Sequence, residues 1–278
     1  MSKRFFVDHE LSKRLERAEG CANAAFVEAR KKLLPESGAT WMELGGTYAM
    51  FDAPEMPTTQ TFGLGMFGAV TAADLDRLEA FFFERGAAVN HEISPMADES
   101  VWPLIAERAY APVEFTSLLF MELEERRIPE DSGAGAVLVR VADASEHDMY
   151  GTTAMRGWAS EHPEMAEMLK PMMEMIFHAR GVTSFVAELD GKPIATGALN
   201  IQNGVALLAG ASTIPEARRQ GAQRALLAAR LRYALDAGCD LATMGALPGS
   251  ASQRNAERAG FRIAYTRTKW RLPANTVQ

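Results

Sequence analysis

Two stretches of this 278-residue chain share one layout, at residues 78–120 and at residues 231–270, about 150 positions further on. In each stretch an apolar-periodic helix ends at a glycine, Gly86 or Gly238, and a short β-rich run follows. A turn with a proline and a serine, a second helix closing on Glu-Arg-Ala and an aromatic residue, and a strand complete the layout. Solenoid repeats recur roughly every 20 to 50 residues, so this longer offset favours duplication of a whole domain. The alternative is a chance resemblance between two α/β units.

The joint between the two copies is predicted at RRIPEDSGAGA, residues 126–136, where Pro, Asp, Ser and Gly cluster between two patterned regions. Such clusters are typical of loops. We therefore predict two domains, at residues 1–130 and 131–278. The length is sufficient for each to bury its own core.

The second half has a legible order of elements. The Asp190-Gly191 pair between two apolar runs is typical of a tight hairpin, and residues 205–213 are apolar on both faces, which indicates a central strand. The predicted elements are a strand at 136–144, one or two helices within 146–180, the hairpin at 183–201, the central strand, a helix at 221–237, a strand at 239–247, a helix at 250–259 and a final strand at 261–270. This order predicts a mixed sheet with helices on its faces, of α+β or α/β type.

The composition excludes several function classes. The formal net charge is -7 and the pI is about 5.4, whereas nucleic-acid binding needs a basic face, so no nucleic-acid partner is expected. The start, MSKRFFVDHE, has charges where a signal peptide has an apolar core, and no long apolar run follows, which predicts a cytoplasmic protein without a membrane partner. Cys21 and Cys239 lack any metal-ligand spacing, so no metal is expected.

The stretch IPEARRQGAQRALL, residues 214–227, lies between the predicted central strand and the long helix. A helix start leaves up to four N–H groups unpaired, and Gly221 allows a ligand to approach without a Cβ in the way. Arg218, Arg219 and Arg224 add cationic side chains around the same point. Together these groups suit a phosphate or a diphosphate. The alternative is an ordinary helix start with solvated arginines.

The second half, from about residue 136 to 270, resembles the GNAT superfamily of N-acetyltransferases, which bind acetyl-CoA. The resemblance rests on STIPEARRQGAQRALLAARL between two strands and on the later PGSASQRNAERAGFRIAYTR. The family loop reads Arg/Gln-x-x-Gly-x-Gly/Ala. Arg218 and Gly221 match it, while Gln223 stands where the last small residue is usual. The resemblance implies an α+β, α/β-like three-layer fold with two tandem GNAT-like domains, each a mixed, mostly antiparallel sheet flanked by helices.

The resemblance also implies a set of cofactor-binding residues for acetyl-CoA as co-substrate. The end of the central strand would hydrogen-bond the pantetheine arm as an added strand does, the loop would hold the diphosphate, and polar groups of the short helix would face the cofactor. Helix capping or a solvated face is the alternative for the short-helix residues. The set is Ala211, Ser212, Thr213, Arg218, Arg219, Gln220, Gly221, Ala222, Gln223, Arg224, Ser252 and Asn255.

The catalytic groups are not identified by the sequence. Many members of the family carry a tyrosine four residues before the Gly-Phe pair as the acid for the leaving thiolate, and here that position is Ala256. Glu188 is expected too far along its strand to act as the base, and His162, with its neighbours Glu161 and Glu164, fits a helix cap as well as a base. A backbone N–H near Gly210 is expected to polarise the acetyl carbonyl.

Three functions follow as hypotheses. The first is an N-acetyltransferase acting on an amine of a small molecule or peptide. The second is a catalytically silent acyl-CoA sensor, and the third is an interaction protein whose arginine loop grips an acidic partner. The methionine-rich residues 164–177 are either core or a pliable acceptor wall. A homodimer is possible.

The first half has the same layout in degenerate form. Its counterpart of the loop, TFGLGMFGAVTAADLDRLEAF at residues 61–81, has glycines but no arginine until Arg77 inside the helix. Asp74 and Asp76 would repel a diphosphate, and Thr71 with Asp74 reads as a helix cap. We therefore expect no productive acetyl-CoA site in residues 1–130.

Overall fold

The computed structural model describes residues 6–128, 137–160 and 175–274. The chain forms two compact units. Unit 1 comprises Met1–Leu119, Gly245–Arg254 and Arg262–Gln278, and unit 2 comprises Phe120–Met244 and Asn255–Phe261. The predicted joint at 126–136 lies mostly outside the described residues, so the sequence boundary at residue 130 stays a prediction.

Six strands of unit 1 lie side by side in the order β1-β2-β3-β4-β11-β5, numbered along the chain. Pairing is antiparallel for β1–β2, β2–β3 and β4–β11 and parallel for β3–β4. The elements are α1 (His9–Leu33), β1 (Thr40–Leu44), β2 (Thr47–Phe51), β3 (Gln60–Phe62), α2 (Ala72–Phe83), β4 (Val89–Ile93), α3 (Val101–Glu107), β5 (Ala111–Glu122) and β11 (Arg262–Leu272). The last three residues of β5 are counted with unit 2.

The core of unit 1 forms because α2 carries apolar residues at helical spacing. Leu75, Leu78 and Phe82 are fully buried there against Val89 and Ile93 of β4. Burying a side chain of this kind contributes roughly 1.5–3 kcal/mol. The same core takes in partly buried residues of β11, so the strand completes the hydrophobic packing as well as the sheet.

Strand β11 pairs with β4 in antiparallel register, from Thr268 opposite Ile93 to Leu272 opposite Val89. The order of elements in the sequence predicts this final strand as part of the second half of the chain. The structure instead groups it with unit 1, where it covers the edge of β4 that would otherwise show unpaired N–H and C=O groups.

Unit 2 contains the strand order β10-β9-β8-β7-β6, antiparallel except for the parallel pair β9–β10. Parts of β10 and α6 are counted with unit 1. The predicted hairpin is confirmed, because Asp190 and Gly191 have φ of 50° and 70°, as its tight turn requires. The elements are β6 (Val137–Val141), α4 (His147–Ala159), β7 (Val182–Leu189), β8 (Lys192–Gln202), β9 (Val205–Thr213), α5 (Ala222–Asp236), β10 (Leu241–Ala246) and α6 (Ala251–Arg258).

Helices α4 and α5 lie on opposite faces of this sheet. Ala198 of β8 packs in one cluster with Tyr150 and Ala154 of α4, whereas a Cβ on the neighbouring Gly197 would lie 3.1 Å from the Arg230 guanidinium of α5. Successive residues of a strand point to opposite faces. The predicted α+β fold with helices on both sides of a mixed sheet is therefore confirmed.

The predicted duplication is also visible in the element order. The run α2-β4-α3-β5 of the first half has its counterpart in α5-β10-α6-β11 of the second. Within 6–128, 137–160 and 175–274, no helix is both long and apolar enough to cross a bilayer.

Candidate functional site

Strand β9 carries a bulge against β8. The regular register ends at the pair Ala198–Ala209 and resumes at the pair Thr196–Ser212. Gly197 alone therefore faces two residues of β9. A bulge bends its strand and interrupts the ladder.

The bulge opens the part of β9 that was predicted to hold the cofactor. Gly210 has φ of 62°, in the left-handed region that favours glycine. Residues 209–211 are accessible, although the first four residues of the strand are buried. The parallel pairing with β10 ends at Leu207 opposite Thr243. The second half of β9 therefore offers accessible backbone groups of the kind that an extended ligand can pair with.

The loop after β9 leads directly into α5. A 3-10 turn, Pro215–Ala217, follows the strand, and Arg219 and Gly221 both have positive φ, of 64° and 86°. Gly221 is the N-cap of α5, no side chain among the described residues caps the helix, and its first turn holds no acidic residue. The first amides of α5 therefore point outward with a favourable dipole for an anion.

Side chains near the loop are held by a set of polar contacts. Arg218 donates from Nη2 to Ser160 Oγ at 2.6 Å, so a residue just beyond α4 contacts the loop. Arg156 of α4 lies 3.3 Å from Glu216 and offsets the one carboxylate of the predicted loop. The side chains of Arg219 and Arg224 are exposed.

Two predicted cofactor residues contact each other. Gln223 donates from Nε2 to Thr213 Oγ1 at 2.8 Å, which ties the start of α5 to the end of β9. Gln223, the departure from the family motif, therefore has its side chain turned toward the strand. Gln220 likewise donates back to the Glu216 carbonyl at 3.3 Å. The structure thus brings the predicted residues from Ala211 to Arg224 together around one strand end.

Ser212 has a packing role in addition to its place in the predicted set. Its Oγ donates to the Ala154 carbonyl at 3.0 Å, and the residue is buried. A Cβ on Gly157 would lie 2.6 Å from both the Cβ and Oγ of Ser212. Helix α4 therefore approaches β9 as closely as it does because residue 157 has no side chain.

The two residues of the short helix α6 that were predicted to face the cofactor belong to different units. Ser252 is counted with unit 1 and Asn255 with unit 2, and both are exposed. Asn255 accepts from Arg258 at 3.1 Å. Ala256 is 1% exposed, so the position that carries the acid in many relatives is a buried methyl group here. Contact of Ser252 and Asn255 with the cofactor stays a prediction.

The equivalent loop of unit 1 is filled by its own side chains. The Phe67 ring lies close to two glycines. A Cβ added to Gly46 would lie 2.5 Å from the ring, and a Cβ added to Gly63 would lie 3.1 Å from it. The Arg17 guanidinium of α1 lies over the same ring, 4.4 Å from its centre. Gly63 of this loop and Gly46 of the turn between β1 and β2 therefore leave room for the Phe67 ring.

The start of α2 is closed by a capping box, as predicted. Thr71 Oγ1 accepts from the Asp74 N–H at 3.2 Å, and Asp74 Oδ2 accepts from the Thr71 N–H at 2.9 Å. Hydrogen bonds from Thr71 hold the pKa of the Asp74 carboxyl below its usual value. This carboxylate stands where α5 has Arg224, three residues past the N-cap in both helices.

Arg230 of α5 is a residue that the sequence analysis missed. Its side chain is 4% exposed, and Nη1 donates to the carbonyls of Ala198 and Ala209, at 3.1 and 3.5 Å, beside the bulge. One feature of the sequence could have indicated that this arginine is buried: it lies in the apolar stripe of the helix, four residues after Leu226 and four before Ala234.

A groove of about 590 Å³ lies next to the start of the loop. It contains two cationic side chains, Arg156 and Lys192. Ile214 lies four residues beyond Gly210 and past the end of β9, so the groove is at the start of the loop and not at the bulge. We therefore do not assign the acceptor to it. The lining residues are Asp148, Met149, Thr152, Thr153, Arg156, Lys192, Pro193, Ile194 and Ile214.

The model of the acetyltransferase (GNAT) family matches residues 147–261. These residues form a GNAT domain. The matched range runs from α4 through the bulged strand, the loop and α5 to the end of α6. None of the curated proteins compared with the chain matches it.

Solved structures share the GNAT fold over most of the chain. A GCN5-related N-acetyltransferase from Kribbella flavida has a TM-score of 0.64 at 21% identity, covering 91% of this chain and 97% of its own. A tandem GNAT protein from the clavulanic acid biosynthesis pathway has 0.59 at 14% identity, covering 84% and 79%. A GCN5-related N-acetyltransferase from Sphaerobacter thermophilus has 0.55 at 15% identity, covering 81% and 76%. These likenesses confirm the predicted fold and its tandem layout.

The remaining catalytic candidates have limited structural support. Glu161, His162, Glu164 and most of the methionine-rich stretch at 164–177 lie outside the described residues. Glu188 is bound at 2.6 Å to Arg140, which also pairs with Glu146. In the part of the chain that the structure describes, no group of three or more His, Cys, Asp or Glu residues could hold a metal.

Proposed function

We propose that the protein is an N-acetyltransferase that moves an acetyl group from acetyl-CoA directly to an amine of a small molecule or peptide. One working site, in the GNAT domain, carries the reaction. The supporting observation is the uncapped start of α5 directly after a bulged, accessible strand. The matching position of unit 1 is closed by Asp74 and Phe67, so we assign no productive site to the domain proposed at residues 1–130.

The diphosphate of the cofactor is held by the backbone N–H groups at the start of α5 and by Arg218, Arg219 and Arg224. Each hydrogen bond to a charged group contributes roughly 1.5–3 kcal/mol, and the helix dipole adds about 0.3–1 kcal/mol. The direct bonds therefore dominate binding. Glu216 is the opposing charge, and its ion pair with Arg156 reduces that repulsion.

The pantetheine arm lies along residues 211–213 as an additional strand. The accessible N–H and C=O groups after the bulge suit that pairing. Ala211 and Thr213 supply the edge, while Ser212, bonded to the Ala154 carbonyl, fixes the strand against α4. This arrangement brings the thioester to the bulge at Gly210.

The chemistry is a direct transfer in which acetyl-CoA supplies an activated thioester. The neutral amine nitrogen forms a bond to the acetyl carbon, the C–S bond breaks, and the amine proton leaves through a side chain or water. The Gly210 N–H stabilises the charge that develops on the carbonyl oxygen. Ala256 supplies no proton, but a thiolate with a pKa near 8.5 leaves with limited help.

The test is calorimetric titration of the full chain with coenzyme A. The double variant Arg218→Glu, Gly221→Asp replaces the cationic and small residues of the loop and should abolish binding without unfolding the protein. Unchanged affinity in this folded variant would refute the site. Measuring the release of coenzyme A in the presence of a panel of amines then tests turnover. We expect the protein to act in the cytoplasm, as a monomer or a homodimer.

A second candidate function is an acyl-CoA sensor without turnover. Ala256 favours it, since this buried methyl group replaces the usual acid. Stoichiometric acetyl-CoA binding without coenzyme A release for any amine would support the sensor. No binding at all would leave the third hypothesis, an arginine loop for an acidic partner.

A further inference from the structure

A single charged side chain lies buried between α5 and the bulge of β9. Arg230 is bonded there to three carbonyl oxygens, those of Leu226, Ala198 and Ala209. Among the described residues no carboxylate lies within ion-pair distance of it. Burial lowers the pKa of Arg230 to about 10.

Arg230 contacts the residues that flank the bulge. Ala198 and Ala209 are the last regular pair before the register breaks, and both of their carbonyls accept from Nη1. Gly197, opposite the two extra residues, would place a Cβ 3.1 Å from the guanidinium. A Cβ at residue 197 would therefore require the guanidinium to shift by a few tenths of an ångström.

Within the part of the chain that the structure describes, this buried charge has carbonyl acceptors and no carboxylate partner, which is costly, and replacing buried ions by apolar side chains is often neutral or stabilising. Methionine at this position of α5 would suit the apolar stripe of the helix. Global stability therefore does not account for an arginine here. The guanidinium instead satisfies two carbonyls at a point where the ladder is interrupted, which an apolar side chain cannot do.

We propose that Arg230 is a positioning residue that holds the β9 bulge in the shape that receives the pantetheine arm of the cofactor. Its guanidinium fixes the direction of the Ala209 carbonyl from the face of the sheet that α5 covers. The orientation of the next peptide units, at Gly210 and Ala211, follows from it. This inference rests on the proposed function, because it assigns a role to the bulge in cofactor binding.

The experiment compares two probes that share the phosphates but differ in the pantetheine arm, coenzyme A and 3′-phospho-ADP. The variants are Arg230→Met and Arg230→Lys, with Arg232→Met as the control, since Arg232 is an exposed arginine of the same helix. For Arg230→Met we expect coenzyme A affinity to fall by about tenfold or more, equivalent to about 1.4 kcal/mol. Affinity for 3′-phospho-ADP should stay unchanged, and Arg230→Lys should recover part of the loss.

A second readout does not depend on any ligand. In the free protein, amide hydrogen exchange of residues 195–213 should be faster in Arg230→Met than in wild type, while β7 keeps its protection. Equal loss of both probes would mean a general structural role and overturn the proposal, as would unchanged coenzyme A affinity. If Arg230→Met does not fold, Arg230→Lys carries the comparison. If the wild-type protein binds neither coenzyme A nor 3′-phospho-ADP, the proposed function is wrong. The hydrogen-exchange data then decide by themselves whether Arg230 holds the bulge.

Discussion

Asp74 accepts from both the N–H and the hydroxyl of Thr71, at 2.9 and 2.7 Å, and so closes the start of α2. Its counterpart in the second copy is Arg224, and α5 begins without a side-chain cap. The duplicated helix thus occurs once with its own carboxylate and once open to an external anion.

Arg224→Asp is expected to close α5 as α2 is closed. A carboxylate three residues past the N-cap competes for the amides and repels a diphosphate, so coenzyme A affinity should fall by about tenfold or more, or about 1.4 kcal/mol. Calorimetry measures this loss. Arg232→Asp makes the same charge change away from the helix start, and equal losses in the two variants would attribute the effect to net charge alone.

Gly157→Ala is expected to push α4 away from β9. The new Cβ would lie 2.6 Å from Ser212 and 3.0 Å from the Thr213 backbone nitrogen, so the free energy of unfolding should fall by about 1–3 kcal/mol. Chemical denaturation measures it. Adding Ser212→Gly should restore part of the stability, and an equal penalty in both backgrounds would argue against the clash.

Arg267→Met is expected to destabilise unit 1. The side chain is 1% exposed and lies 2.8 Å from Glu19, 3.4 Å from Glu92 and 3.5 Å from Glu16. Removing one side of a buried ion pair costs about 3–5 kcal/mol. The matched control is Arg271→Met on the same strand, a partly exposed arginine 3.7 Å from Glu55, for which a loss within about 1 kcal/mol is expected. Equal losses would show that burial of the charges is unimportant.

In mild acid, the wild-type protein with Glu16 should have a larger free energy of unfolding than the variant Glu16→Gln. Burial raises the pKa of Glu16 from 4.5 to about 7, against the opposing charge of Arg267. The folded state therefore holds a proton that the unfolded chain has released, and the contribution is complete below pH 4.5 and lost as the pH rises through 7. Denaturation of both proteins between pH 4.5 and 8 measures the difference, which should shrink with rising pH; a constant difference would contradict it.

His91 should act in the opposite direction. Burial lowers its pKa from 6.5 to about 3, and the neutral ring bonds to Thr61 at 2.7 Å and to Tyr110 at 3.1 Å. Below pH 6.5 the unfolded chain binds a proton that the folded state does not. His91 should therefore cost wild type about 2 kcal/mol at pH 5 relative to pH 8, and His91→Gln should lack this loss. Equal pH profiles of the two proteins would refute the assignment.

Local features of the fold were predictable because local sequence determines them. The turn at Asp190-Gly191 requires positive φ, the cap at Thr71 needs only residues within one helical turn, and the loop around Gly221 has a recognisable spacing. The domain type followed from the order of such elements.

The unpredicted features depend on distant partners. Nothing in the β11 sequence specifies β4 as its neighbour, because the two strands are far apart along the chain: Arg267 of β11 pairs with Glu92 of β4, about 175 positions earlier. The bulge needs Gly197, Gly210 and Arg230 together, from two strands and a helix. An arginine in an apolar stripe was visible in the sequence, but its acceptors were not.

The pairing of β11 with β4 has a consequence for synthesis on the ribosome. β4 emerges roughly 170 residues before its neighbour, which at about 5–20 residues per second is a wait on the order of 10 to 30 s. During that time a nascent chain presents an open strand edge and the Glu16 and Glu92 carboxylates without their arginine. β11 therefore has to emerge from the ribosome before the open edge of β4 can be covered.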